Sequence, residues 1–271
     1  MAMYHIGIVF LGLVLLPHCA VASNDDAVPE ESSVSTPATP LSAPAKSDVP
    51  LPSPAKSIKR AVFMRVTPSG DVRHIADWVV DSGDNKGLPF VIIDKKDARV
   101  YVFDSEGRIR GAAPALLGVT RGDDTVPGIG ERELSDMPPE TRTTPAGRFV
   151  AALGMSTRGV DVLWVDYEAA IYLHRVIINK PEERRFQRLA TPTPRDNRIS
   201  YGCINVPKQF YETVVRPAFS GTNGIVYVLP EMRPARAVFS SYDVAERVLQ
   251  LSRDRAQQQH RTVAEAMTTK Q

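Results

Sequence analysis

Residues 90–103, FVIIDKKDARVYVF, contain two short apolar runs separated by a charged turn. Both runs are rich in Val, Ile, Phe and Tyr, the side chains that favour β-strands. The next four residues, DSEG at 104–107, are typical of a second tight turn. The stretch therefore predicts a β-hairpin formed by Phe90–Asp94 and Arg99–Phe103.

Comparable runs lie at residues 61–66, 147–151, 160–165, 170–174 and 224–229. Short β-branched or aromatic runs with Gly, Pro and Asp between them predict a mainly β fold, an antiparallel sandwich or barrel. Helix signals are scarce, and they favour a short helix over Lys208–Val215. Val244, Val248 and Leu251 form a narrow apolar stripe, which predicts a C-terminal helix that docks by its first two turns and then frays.

The beginning of the chain has the pattern of a secretory signal. Residues 6–16 are an apolar run, shorter than the roughly 20 residues that span a bilayer, and Ala20-Val21-Ala22 is a small-x-small cleavage pattern. We expect cleavage after Ala22, export to the periplasm or cell envelope, and no stable membrane span in the mature protein. Lipid attachment at Cys19 is the alternative.

The remaining chain divides into four predicted segments. Residues 23–59 are rich in Pro, Ser and Ala, which predicts a linker. It is followed by a lead-in at 60–87, a catalytic domain at 88–230 and a helical extension at 231–271.

The formal net charge of +2 gives no footprint for nucleic acid. His74 has no neighbour at ligand spacing, so we predict no metal site.

Cys203 is the one cysteine left if residues 1–22 are removed, so it has no partner for an internal disulfide. It lies in SYGCIN, residues 200–205, where Gly202 permits a sharp turn and Ser200 and Asn205 can hold a substrate amide. His174 ends an apolar run upstream, and a Cys with a His is the minimum set for a thiol nucleophile with its base. A structural cysteine with an unrelated core histidine is the other interpretation.

The segment between His174 and Ser200 is strongly basic, and its members are Arg175, Lys180, Arg184, Arg185, Arg188, Arg195 and Arg198. A solvated loop face explains most such runs. A basic loop placed between a base and a nucleophile can also fold over a substrate that bears carboxylates, because Arg binds them in a bidentate manner.

These motifs together resemble the catalytic domain of L,D-transpeptidases, the YkuD-like enzymes that remodel bacterial peptidoglycan. The match at the nucleophile consists of Ser200, Gly202, Cys203, Ile204 and Asn205, and His174 matches the upstream histidine. TPAGRF at residues 144–149 looks like the family's Thr-Pro-x-Gly-x-Phe turn, and the hairpin at 91–107 looks like its first hairpin. The resemblance covers about residues 88–230.

Two features depart from the family's pattern. Tyr201 stands where most members have a second histidine, and the interval from His174 to Ser200 is longer than usual. A phenol with a reference pKa near 10 donates a hydrogen bond but is a poor base at neutral pH. We therefore expect Tyr201 to orient the substrate as a donor.

The resemblance implies an acyl transfer without cofactor or metal. Cys203 would attack a peptidoglycan stem tetrapeptide at the bond to its terminal D-alanine, and His174 would take the thiol proton. Ser200, Tyr201, Gly202, Asn205 and Arg175 would bind or orient the substrate. A stem-peptide amine as acceptor gives a cross-link, water gives an L,D-carboxypeptidase or endopeptidase, and a protein amine gives anchoring to the wall.

Two other classes of function stay open. One is a catalytically silent peptidoglycan-binding module, for which the replacement at Tyr201 is the best argument. The other is a cysteine peptidase that acts on ordinary proteins, which does not account for the turn at residues 144–149.

Overall fold

The computed structural model describes residues 58–268, so the predicted signal at 1–22 and nearly all of the predicted linker at 23–59 lie outside the described residues. The strands are β1 Phe90–Asp94, β2 Arg99–Phe103, β3 Ile109–Pro114, β4 Leu117–Gly118, β5 Gly147–Met155, β6 Asp161–Asp166, β7 Ile171–Arg175, β8 Arg198–Ser200, β9 Ile204–Val206 and β10 Gly224–Val228. The α-helices are α1 Gly70–Ser82, α2 Arg185–Ala190, α3 Lys208–Phe210, α4 Arg216–Ala218, α5 Ala235–Phe239 and α6 Val244–Thr268. A π-helical turn, Tyr211–Val215, joins α3 to α4.

Eight strands form one sheet in the order β3-β2-β1-β10-β5-β6-β7-β9, and β4 pairs with β8. Most neighbours are antiparallel, but β1 with β10, β7 with β9 and β4 with β8 are parallel. A bridge between Leu116 and Asn205 connects the chain before β4 to β9, which nearly closes the large sheet. The prediction of a mainly β fold with short helices and a C-terminal helix is confirmed, with parallel pairs added to the antiparallel ones.

The curved sheet encloses one hydrophobic core and carries a second on its outside. Both halves of the sheet contribute to the inner core, for example Val91 from β1 and Leu173 from β7. The outer core packs α1 and α5 against β1, β2 and β10 through Ile75, Phe90 and Phe239. Strands β1 and β10 are buried along their whole length, which explains why they read as continuous apolar runs and not as alternating ones.

The region before β1 differs from the prediction. The sequence predicts a strand at residues 61–66, but the structure has a single bridge there, between Val62 and Arg108, and helix α1 follows. The Ser69 hydroxyl caps α1 by accepting from the Val72 N–H at 3.3 Å. Because α1 belongs to the outer core, residues 60–87 pack as part of the same body as the strands.

The C-terminal segment docks on α1. Val244 is buried in the outer core, and the Tyr242 hydroxyl donates to the Asp81 carboxylate of α1 at 2.7 Å. Helix α6 continues to Thr268, so the predicted fraying beyond Ser252 does not occur in the structure. The predicted helix at 208–215 is confirmed and extends through α4. Within residues 58–268, no helix combines the length and apolar character needed to cross a membrane.

Candidate active site

The parallel pairing of β7 with β9 builds the candidate site. Leu173 lies opposite Ile204 and His174 opposite Asn205. Leu173 and Ile204 point into the inner core. Because side chains alternate along a strand, Tyr172, His174, Cys203 and Asn205 share the other face of the sheet. The residue proposed from the sequence as base, on β7, and the residue proposed as nucleophile, immediately before β9, are therefore on the same face of the sheet.

The turn that presents Cys203 is fixed by hydrogen bonds. The Ser200 hydroxyl donates to the Cys203 carbonyl at 2.7 Å and accepts from the Gly202 N–H at 3.1 Å. Asn205 Nδ2 donates to the same Cys203 carbonyl at 3.2 Å. Gly202 has φ 125°, and a Cβ there would lie 2.6 Å from Ile171 Cδ1, so this position requires glycine. Ser200 and Asn205 thus position the turn in the free protein.

A buried ionic cluster, here called the Lys95 cluster, lies behind this turn and consists of Lys95, Asp123, Arg198 and Glu231. The Lys95 ammonium is fully buried and donates to Asp123 Oδ1 at 3.0 Å and to the Thr144 carbonyl at 2.9 Å. Arg198 donates to Glu231 at 2.6 Å. The Thr144 hydroxyl donates to the Gly202 carbonyl at 2.8 Å, so Thr144 connects the cluster to the residue before the nucleophile.

The thiol of Cys203 lies against β7. Its sulfur is 3.8 Å from the Ala170 carbonyl oxygen, and the residue is partly exposed. Burial of the sulfur raises the pKa of the thiol to about 11, and the neighbouring Tyr172 and Arg185 act in the opposite direction. The sequence interpretation missed Tyr172, yet its position two residues before His174 is enough to put it on the same strand face.

His174 is buried beside Tyr172, with the two ring centroids 5.1 Å apart. Burial lowers the pKa of His174 to about 4, and the nearby Arg185 and Arg175 charges act in the same direction. At neutral pH the free protein therefore holds a neutral thiol near a neutral imidazole. Neutral imidazole is the form that accepts a proton, and catalytic hydrogen bonds often shorten only when substrate binds.

The lowered pKa of His174 predicts a loss of stability in acid. Because the unfolded chain binds a proton near pH 6.5 and the folded protein only near pH 4, the free energy of unfolding falls as the pH drops through this window. We expect the fall to be about 3 kcal/mol larger in the wild type than in His174→Gln. Denaturant unfolding at pH 7 and pH 4 measures both, and parallel curves for the two proteins would contradict the prediction.

The basic segment between β7 and β8 divides into residues with different partners. Arg185 donates to Asn205 Oδ1 at 2.7 Å and pairs with Glu183 at 2.5 Å. Arg188 donates to the carbonyls of Glu183 and Asp196 within the segment. Arg198 belongs to the Lys95 cluster. Of this run, Arg185 is the residue that contacts the candidate site.

Arg175, proposed from the sequence to bind substrate, lies next to His174 but points to the other side of β7. Its guanidinium donates to Glu212 at 2.5 Å and to Asp161 at 3.0 Å, and it stands over the Tyr211 ring at 4.2 Å. The structure therefore does not bring Arg175 together with Cys203 and His174.

Tyr201 packs against the inner core, and the Arg142 guanidinium stands 4.0 Å from its ring centroid. Arg142 is itself held by the Met137 carbonyl at 2.8 Å. The contacts of Tyr201 are thus those of its ring, and among the described residues its hydroxyl has no hydrogen-bond partner.

The packing of Tyr201 gives a test of its role. We expect Tyr201→Phe to keep both activity and stability, because it retains the ring, whereas Tyr201→Ala loses about 2 kcal/mol of packing and cation–π stabilisation. Kinetics and denaturant unfolding of the two variants measure this. A large loss of turnover in Tyr201→Phe alone would instead support the role as hydrogen-bond donor that was inferred from the sequence.

No family model matches the chain, and no curated protein gives a significant match. One similar solved structure is the LD transpeptidase LdtMt1 in complex with imipenem, with 15% identity over 52% of this chain and 59% of that chain and a TM-score of 0.31. A second is the helical cell shape determining protein Pgp2 from Campylobacter jejuni, with 15% identity over 54% and 49% and a TM-score of 0.35.

A third similar structure is the catalytic domain of an E. faecium L,D-transpeptidase, with 17% identity over 52% of this chain and 95% of that chain and a TM-score of 0.27. The chain resembles L,D-transpeptidase domains. It spans 59% of the length of the first structure and 49% of the second.

Proposed function

We propose that the chain is a cysteine acyltransferase of the L,D-transpeptidase type that acts on peptidoglycan stem peptides. The observation that carries the proposal is that Cys203 and His174 lie on the same face of the sheet, where β7 pairs with β9. Hydrogen bonds from Ser200, Thr144 and Asn205 fix the turn that contains Cys203. The substrate class follows from the sequence motifs that resemble the family.

The proposed reaction has two steps. The Cys203 sulfur attacks the carbonyl carbon before the terminal D-alanine of a tetrapeptide, while His174 accepts the thiol proton and returns it to the leaving D-alanine amine. The C–N bond breaks and a thioester forms. An acceptor amine then attacks the thioester carbonyl, and the thiol is restored as the C–S bond breaks.

The electrostatics of the free protein determine how the first step starts. Since the pKa of the thiol is raised to about 11 and that of His174 is lowered to about 4, there is no preformed thiolate–imidazolium pair at neutral pH. The proton must therefore move as the sulfur attacks.

The direct test is to incubate the protein from residue 23 onward with a disaccharide-tetrapeptide and to identify the products by mass. A cross-linked dimer with free D-alanine supports the transpeptidase, and a tripeptide product with free D-alanine identifies the carboxypeptidase. Cleavage of ordinary proteins with no action on the muropeptide would replace the proposal by a cysteine peptidase.

A catalytically silent peptidoglycan-binding module is the second candidate. The observation in its favour is that no hydrogen bond joins Cys203 to His174 in the described structure, while both groups are neutral. Binding of the disaccharide-tetrapeptide without release of D-alanine would support this candidate over the enzyme.

For the location we propose export to the periplasm or cell envelope, on the basis of the signal pattern at residues 1–22. The mass of the protein purified from the envelope fraction tests this, because cleavage after Ala22 gives a chain that begins at Ser23. A lipidated chain that begins at Cys19 would support the alternative.

Arg185 is expected to contribute to catalysis through its charge and its contact with Asn205. Its positive charge lowers the pKa of the Cys203 thiol, and Arg185→Gln removes this effect together with the hydrogen bond to Asn205. We expect kcat/KM to fall about tenfold, because hydrogen bonds to charged groups contribute about 1.5–3 kcal/mol. The neighbouring Arg184 is exposed, so Arg184→Gln is the matched control and should change kcat/KM by less than about twofold. Equal effects of the two variants would contradict the assignment.

A further inference from the structure

A row of aromatic rings, here called the aromatic row, leads away from the candidate nucleophile. It consists of Tyr172, Trp164 and Tyr167. Trp164 lies opposite Tyr172 in the pairing of β6 with β7, and their ring centroids are 5.2 Å apart. Tyr167 stacks on Trp164 at 5.2 Å with an interplanar angle of 12°. Since the Tyr172 ring lies 5.1 Å from the ring of His174, the row begins at the candidate base.

The position of Trp164 is fixed by its neighbours on β5. A Cβ at Gly154 would lie 2.9 Å from Trp164 Cδ1 and 3.1 Å from Nε1, so the indole covers the backbone of this glycine. The indole N–H donates to the Met155 carbonyl at 3.4 Å. The ring is thus held in one orientation on the outside of the sheet, before any ligand is present.

The aromatic row is accessible, although rings of this size are usually buried. Tyr167 is 60% exposed, and Trp164 and Tyr172 are partly exposed. An exposed apolar patch marks a binding site more often than a solvated face, and this row of rings reaches His174 through Tyr172.

The site has a positively charged region and an uncharged aromatic region, and each suits a different part of a substrate. Arg185 lies at the Cys203 end, near His174. Burial raises the pKa of Tyr172, and the positive charge of the exposed Arg158, in the turn between β5 and β6, acts in the opposite direction. These cations suit the carboxylates of a stem peptide. The row itself consists of uncharged rings, which suit an uncharged ligand ring with apolar C–H faces.

We propose that the aromatic row is a saccharide-binding subsite, which takes a sugar ring of the glycan that carries the stem peptide attacked by Cys203. This inference rests on the proposed function. Tyr172 joins the two parts, because its ring lies 5.1 Å from His174 and 5.2 Å from Trp164. The subsite makes the protein select stem peptides that are attached to glycan over free peptides.

The test compares two donor substrates that differ only in the sugar, a disaccharide-tetrapeptide and the free tetrapeptide. For Trp164→Ala we expect the KM of the disaccharide-tetrapeptide to rise about tenfold, and the KM of the free tetrapeptide to stay within about twofold. Tyr167→Ala should act in the same direction. Tyr167→Phe is the matched control, since it keeps the ring and should leave both KM values unchanged.

Binding without turnover gives an independent measurement. Titration calorimetry of the Cys203→Ala protein with a peptide-free glycan oligosaccharide should show binding, and the Trp164→Ala/Cys203→Ala double variant should show at least a tenfold weaker interaction. If the wild type acts on neither donor, the proposed function fails, and the titration still decides on the subsite. Equal KM increases for both donors, unchanged KM values for both, or glycan binding that survives Trp164→Ala would overturn the inference.

Discussion

Replacement of Cys203 by alanine is expected to abolish release of D-alanine from the stem tetrapeptide, with a loss of at least about a thousandfold in turnover. The physical reason is that the thioester forms on this sulfur, and no other cysteine is present among residues 58–268. Stability should change by less than about 1 kcal/mol, because the residue is partly exposed and its turn is held through main-chain atoms and neighbouring side chains. The mass of the acylated wild-type protein and its absence in the variant measure the effect.

Alkylation of the thiol is the control for accessibility. The native protein should take up one equivalent of reagent, and the rate should rise about tenfold per pH unit from neutrality, because the thiolate reacts and the pKa lies near 11. If the native protein stays unlabelled while the unfolded chain reacts, Cys203 is a core cysteine and the proposed mechanism is wrong.

The second large effect is expected at Lys95. Lys95→Met leaves the buried Asp123 and Glu231 carboxylates without their shared cation, and we expect a loss of about 3–5 kcal/mol in the free energy of unfolding. Urea unfolding measures it. The neighbouring Lys96→Met removes a pair with Asp71 in which both side chains are about half exposed, and it should change stability by less than about 1 kcal/mol.

A milder variant separates the effect of the Lys95 cluster on stability from the positioning of the turn that contains Cys203. Thr144→Val keeps the Lys95 cluster intact but removes the hydroxyl that donates to the Gly202 carbonyl and accepts from the Gly118 N–H. If Lys95→Met and Lys96→Met destabilise the protein equally, the buried cluster does not have the energetic role assigned here.

Local sequence patterns predicted the strands, because runs of β-branched and aromatic residues favour strand formation. The hairpin of β1 and β2 is found with the predicted bounds. Helix α1 was missed because its buried face is not purely apolar. Asp77 and Asp81 lie among its buried residues and interrupt the stripe. Their partners, such as the Ala61 N–H and the Tyr242 hydroxyl, come from other parts of the chain.

The part of the candidate site that depends on strand periodicity was predictable from the sequence. The period of two along a strand places Tyr172 beside His174, and the pairing of β7 with β9 adds Cys203 and Asn205. The Lys95 cluster was out of reach, because its four members are dispersed along the sequence and meet only in the folded chain. The partners of Arg175 and Arg185 also depend on long-range contacts.

The bridge between Leu116 and Asn205 has a consequence for folding kinetics. The main chain of Asn205 exchanges two hydrogen bonds with Leu116, at 2.8 and 2.9 Å, while its side chain holds the carbonyl of Cys203. Contacts between residues so distant in sequence form slowly, because loop closure must come first. We therefore expect the pairing of Leu116 with Asn205 and the ordering of the turn at Cys203 to come late in folding, so that a partly folded chain with only its hairpins formed has no organised thiol.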